Sequence, residues 1–140
     1  MRHLIIALLS FLILFGCKSQ PINQVVNKER ENLWIEKNTL DNTHYKSIGK
    51  YHKGDPIKKW RYYQNDQIVK KEKYIKNRCK TTTYHKNGKI QSKGKTKTVT
   101  TNLETHWFYF GDWKYYDEKG KLVLLKKYEN GELKSEIEIQ

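Results

Sequence analysis

GDWKYYDEKGKLVLLKKYENGEL, running from Gly111 to Leu133, is the stretch that decides the fold. It reads as a strand ending in Tyr115 and Tyr116, a turn around Lys119 and Gly120, a strand from Leu122 to Tyr128, and a second turn at Asn130 and Gly131. Two hairpin signals in so short a length predict antiparallel pairing of consecutive strands. Beyond it the period stays at two. Leu133, Ser135, Ile137 and Ile139 fall on one face and Glu132, Lys134, Glu136, Glu138 and Gln140 on the other, which predicts a half-buried strand.

Upstream the same unit recurs in more degraded form. WRYYQNDQI from Trp60, with Tyr62 and Tyr63, matches WKYYDEKGKL from Trp113 with one residue less in the turn. YHKNGKI from Tyr84 keeps the turn at Asn87 and Gly88, and Tyr84 stands near the station a missing third tryptophan would occupy, since Trp34, Trp60 and Trp113 are spaced as one step and two. A shorter form, Tyr, then Asn, then an apolar residue five on, appears from Tyr74 to Cys79 and from Tyr128 to Leu133. Glycines at Gly49, Gly54, Gly88, Gly94, Gly111, Gly120 and Gly131 read as turn positions. Ile68 to Tyr74 and Thr96 to Thr101 are poor in aliphatics and rich in β-branched residues, suiting edge-like or solvent-facing strands. Space is filled by aromatics: ten Tyr, four Trp and four Phe.

Gly-x-Trp-x-Tyr-Tyr, then x-x-x-Gly-Lys-Leu, then Tyr-x-Asn-Gly resembles the MORN-type repeat, in the variant found in bacterial lipoproteins and in proteins described as antitoxin-like. The positions carrying the resemblance are Trp60, Tyr62, Tyr63, Tyr84, Asn87, Gly88, Gly111, Trp113, Tyr115, Tyr116, Gly120, Leu122, Tyr128, Asn130 and Gly131. KKWRYYQNDQI lacks the glycines, and around Trp34 only the tryptophan is kept. The resemblance implies an all-β fold: an elongated, single-layer, twisted array of antiparallel hairpins with aromatics stacking between neighbours, over residues 32–140. It implies a scaffold rather than a chemistry.

KGKTKTVTTNLETHWFYF, Lys93 to Phe110, departs most from the pattern and reads as a longer hairpin with its tip near Asn102 and Leu103. Trp107, Phe108, Tyr109 and Phe110 put aromatics on both faces of its returning strand. Two readings are open: both faces covered by neighbouring hairpins and the tether, or an exposed aromatic strip that meets a partner.

The start of the chain is a targeting segment. Arg2 and His3 precede an apolar run from Leu4 to Phe15, too short to span a bilayer and suited to a signal-peptide core. Its ending, Leu14-Phe15-Gly16-Cys17, resembles the lipobox of bacterial lipoproteins. Residues 1–16 are then a signal peptide cleaved between Gly16 and Cys17, and acylation of Cys17, palmitate included, anchors the chain to a membrane without spanning it. No Asp follows the cysteine, so the resemblance implies an outer-membrane position facing the periplasm. Residues 17–31, polar and containing Pro21, read as the lipidated cysteine and a tether. Cys79 then lacks a disulfide partner and reads as a buried small apolar residue at a strand start.

Charge is the other departure from background. With 28 basic and 15 acidic residues the net charge is +13, and loss of Arg2 with the leader leaves +12. Lysines recur in pairs, Lys58 with Lys59, Lys70 with Lys71 and Lys126 with Lys127, and alternation forbids each pair from sharing a face. A solvated surface accounts for this; so does an anionic partner, which in an envelope means lipid headgroups, lipopolysaccharide phosphates or acidic wall polymers. An exported chain does not meet nucleic acid. His44, His52, His85 and His106 are scattered over different units, with no metal spacing, nucleophile elbow or phosphate loop, so neither catalysis nor a cofactor or metal is expected. The functional expectation is a membrane-anchored binding scaffold with a protein or anionic polymer as partner; the alternative is an immunity or antitoxin-like protein that neutralises a toxin.

Overall fold

A computed structural model describes residues 21–100 and 104–140. The leader, the Gly16-Cys17 junction and the Asn102-Leu103 tip lie outside the described residues. Within them the regular elements are strands: β1 (Gln24–Val26), β2 (Glu29–Leu40), β3 (Thr43–His52), β4 (Asp55–Gln64), β5 (Gln67–Ile75), β6 (Arg78–Tyr84), β7 (Ile90–Thr100), β8 (Thr105–Tyr116), β9 (Leu122–Glu129) and β10 (Glu132–Glu138). Each pairs antiparallel with the next, so the order in the single open sheet is the order in the chain. The hairpin array predicted from the repeat is the fold.

Turn chemistry explains why the chain reverses so often. Asn27-Lys28, Asp41-Asn42, Lys53-Gly54, Asn65-Asp66 and Asn130-Gly131 each carry two consecutive positive φ values, the backbone of the tight turn whose twist matches that of paired strands. The loops at Asn87-Gly88 and Lys119-Gly120 are longer and built alike. The amide of Gly88 donates to the carbonyl of His85 at 2.9 Å, and that of Gly120 to Asp117 at 3.0 Å. Asn87 and Asp117 Oδ1 accept the amides of Lys89 and Lys119, a side chain standing in for a backbone turn.

The second half of residues 17–31, read from sequence as tether, is sheet instead: β1 and the start of β2 lie there, and Asn23 bridges to Ile35 through both ends of its amide. Of the two readings of the β-branched strands β5 and β7, edge-like or solvent-facing, the second holds: both are central, and among the described residues no second layer covers the sheet. The edges are β1 and β10. β10 is exposed along its whole length, not half-buried, and a register shift between Leu133 and Ser135 sets Leu133 opposite Tyr128 but Ile137 opposite Leu125. The bulge thus sends those two apolar side chains to opposite faces, which an unbroken period of two cannot do.

Candidate functional site: the two faces of one sheet

Gly49 and Gly94, read from sequence as turn residues, lie inside β3 and β7. A Cβ on Gly49 would stand 1.9 Å from the indole of Trp60, and one on Gly94 2.1 Å from that of Trp113. Each tryptophan lies flat over a strand that has no side chain there, and its Nε1 donates to the next carbonyl along, Lys50 at 3.2 Å and Lys95 at 2.9 Å. The register slips at each of these points. Two residues before Trp34, Trp60 and Trp113 stand Asn32, Lys58 and Gly111, all with positive φ. That local twist aims the indoles, and at Lys58 and Asn32 the fold holds it without glycine.

Following the pairing from strand to strand, Trp34 faces Gly49, Gly49 lies beneath Trp60, Trp60 faces Glu72, and Glu72 faces Thr81. Thr81 faces Gly94, beneath Trp113, which faces Lys126, which faces Glu136. This first face carries the core: Trp60, Cys79 and Trp113 are the buried apolar residues among those described. Tyr51 stands edge-on between Trp34 and Trp60, with ring centres 5.6 and 4.9 Å away. Tyr109 stands edge-on to Trp113 at 4.7 Å. The missing third tryptophan is not Tyr84, whose side chain lies on the opposite face with Lys71 above its ring; Thr81 takes that place in the row, and Tyr84 corresponds to Tyr63 and Tyr116.

Between the tryptophan stations lies a polar group. Glu72 accepts hydrogen bonds from Tyr62 at 2.6 Å and Tyr74 at 2.9 Å and pairs with Lys70 at 2.9 Å. Its side chain is 12% exposed. Burial, and then the Glu72 carboxylate, push both phenols far above their ordinary range. Cys79 is 1% exposed beside them, and burial raises its thiol as well. Every buried side-chain nitrogen and oxygen among the described residues has a hydrogen-bond partner, which fits a structural network. No group of three or more His, Cys, Asp or Glu among the described residues is placed to hold a metal.

The aromatic strip of β8 is divided by alternation. Trp107 and Tyr109 lie on the first face, about half exposed, touching Tyr74 and Trp113 respectively. Phe108 and Phe110 lie on the second face, half-buried, with the Arg78 guanidinium 5.4 Å from the Phe110 ring centre. An open groove of about 780 Å³ runs beneath the long hairpin past Tyr74, Val99 and Trp107.

The second face has a different composition. Lys59, Lys73, Lys80 and Lys95 stand directly opposite one another on β4 to β7, ending against Phe110. Two residues along, Arg61, Lys71, Thr82, Lys93 and Lys114 form a parallel row from β4 to β8, flanked by Ile48 on one side and Leu125 on the other. The cations of both rows are exposed. None of them pairs with a carboxylate among the described residues; the ion pairs there belong to other residues. The paired lysines are what alternation sorts. Lys70 and Lys126 go to the first face and each meets a glutamate, Glu72 and Glu136, while Lys71 goes to the second and meets none. Sequence reasoning found the charge but not this sorting, which needs the register of every strand.

Comparison with protein-family models, with curated proteins and with solved structures finds no match to this chain.

Proposed function

We propose that the chain is a lipid-anchored envelope protein whose MORN-type hairpin array acts as a non-catalytic binding scaffold. The observation that carries this reading is the division of labour across one layer: the aromatic face supplies the cohesion, and on the other face the two cationic rows of β4 to β8 are left to water with no carboxylate partner among the described residues. A second layer would hide one face; here both are presented. The apolar run ending at Gly16-Cys17 supports the anchored address.

Two measurements test it. Detergent-phase partition should retain the mature chain, with an acylated Cys17 as its first residue by mass spectrometry, and Cys17→Ala should move the protein to the aqueous phase. A mature protein beginning elsewhere and remaining soluble would sink the anchored half. Copurification with the product of a neighbouring reading frame, followed by loss of that product's toxicity when the pair is coexpressed, would make it an immunity protein instead.

A further inference from the structure

We propose that the second face of β4–β8 is a track for a linear, phosphate-rich polyanion. This deepens the scaffold reading and rests on it for the idea that a partner is bound at all. The row Lys59, Lys73, Lys80 and Lys95 places one ammonium on each of four neighbouring strands. At about 4.8 Å per strand it is a line of charge roughly 14 Å long, doubled by the row two residues along. Like charges directly opposite one another destabilise a sheet, so the arrangement carries a cost that an anion lying along the row relieves. Of the paired lysines, Lys70 and Lys126 on the first face each meet a glutamate, whereas these two rows contain no carboxylate.

The shape favours a flexible chain over a plane. Neighbouring strands rotate by roughly 20–25°, so five strands turn through about 90°. A bilayer would meet one or two strands of such a surface, whereas a polymer crossing the strands can follow the whole turn. Nor is this a platform for unpaired bases. The aromatics bordering the rows, Tyr84, Tyr116 and Phe110, already have Lys71, Lys93 and Arg78 over their rings at 4.9, 5.2 and 5.4 Å, so their faces are not open for stacking.

The test uses the full chain in neutral detergent micelles, with long-chain inorganic polyphosphate as probe and orthophosphate at equal phosphate concentration as control. Polyphosphate should bind and orthophosphate should not, with affinity falling steeply as salt rises. Lys73→Gln with Lys80→Gln should weaken binding at least tenfold and flatten the salt dependence by roughly 1.4 in log–log slope, the release of about 0.7 counterion per lost contact. Lys86→Gln with Lys119→Gln, the same charge change in exposed loops, should shift affinity less than threefold. Circular dichroism confirms the fold of both. Equal losses from the two pairs, or no polyphosphate binding at low salt, overturn the track. So does tighter binding, per phosphate, of single-stranded DNA, or displacement of polyphosphate by phosphatidylglycerol doped into the micelles at equal phosphate. Each of these leaves the Cys17 measurement untouched, so failure here is separable from failure of the anchored scaffold.

Discussion

The tryptophan stations and the strands between them solve the same problem with opposite chemistry. At β3–β4 and at β7–β8 a glycine is covered by an indole, and the indole's one polar atom is satisfied by a carbonyl of the glycine's own strand. At β5–β6 the same row of the sheet holds Glu72 and Thr81, and cohesion comes from two phenols and an ammonium converging on one carboxylate. The difference teaches that a single layer does not need an apolar side chain at every station. It needs each station either to fill its space or to satisfy its polar atoms, and the neighbours on both sides tolerate either.

The largest effect should come from emptying a filled station. Trp113→Ala removes a side chain that is 5% exposed, and loss of a buried Trp costs about 3–5 kcal/mol. Thermal unfolding and hydrogen exchange should show β7–β9 opening first, with β2–β4 protected to a later temperature. If both stations loosened together, they would not be the separable units described above.

Refilling the space beneath an indole should cost less. Gly94→Ala sets a methyl where Trp113 already lies, and overpacking of this kind costs about 1–3 kcal/mol. Trp113 fluorescence should shift to the red as the indole is lifted toward water. Gly54→Ala is the foil: its Cβ would meet nothing within 4 Å, so its penalty comes from the positive φ alone.

The polar station is sharpened by Glu72→Gln. Tyr62 and Tyr74 keep one acceptor between them and Lys70 loses its counter-charge, so about 1.5 kcal/mol should be lost, at the lower end for hydrogen bonds to a charged group. A double change, Glu72→Met with Lys70→Met, should recover part of that loss, because removing both partners leaves no charge without its mate. Failure to recover would mean the carboxylate does more than hold the phenols.

The mildest perturbation is alkali. Burial pushes Tyr115 up to about 12. A phenol raised in the folded state favours folding fully below its ordinary value near 10 and loses that contribution as pH rises through about 12. Tyrosinate absorbance should therefore show Tyr115 ionising near 12, with Tyr62 and Tyr74 only after it. Strand dichroism should persist until the late group titrates.

Much of this was legible in the chain itself, because hairpins are local. Asn130-Gly131, Lys119-Gly120 and Asn87-Gly88 announce their turns through the residue types that a positive φ demands, and the recurrent five-residue spacing from Tyr74 to Cys79 and from Tyr128 to Leu133 turns out to join directly paired residues. What stayed hidden depends on contacts between strands. A glycine under a tryptophan looks the same in sequence as a glycine in a turn, and only the partner strand tells Gly49 from Gly54. The bulge at Leu133 reverses an alternation that the sequence shows as unbroken. The two faces of β8 divide Trp107 and Tyr109 from Phe108 and Phe110, so neither the covered nor the exposed reading of that strip holds for all four.

Sheet order that repeats chain order also sets how the molecule answers to tension. Pulling on the N-terminal end loads the β1–β2 hydrogen bonds one after another, as in opening a zipper, and not many at once, as in shearing two strands past each other. The bonds of Asn23 to Leu33 and Ile35 are loaded first and the three paired positions of β1 after them, and β2 with the first tryptophan, Trp34, is peeled next. Each step releases one strand while the remainder stays paired, so extension proceeds as a series of small, reversible yields from the pulled end inward.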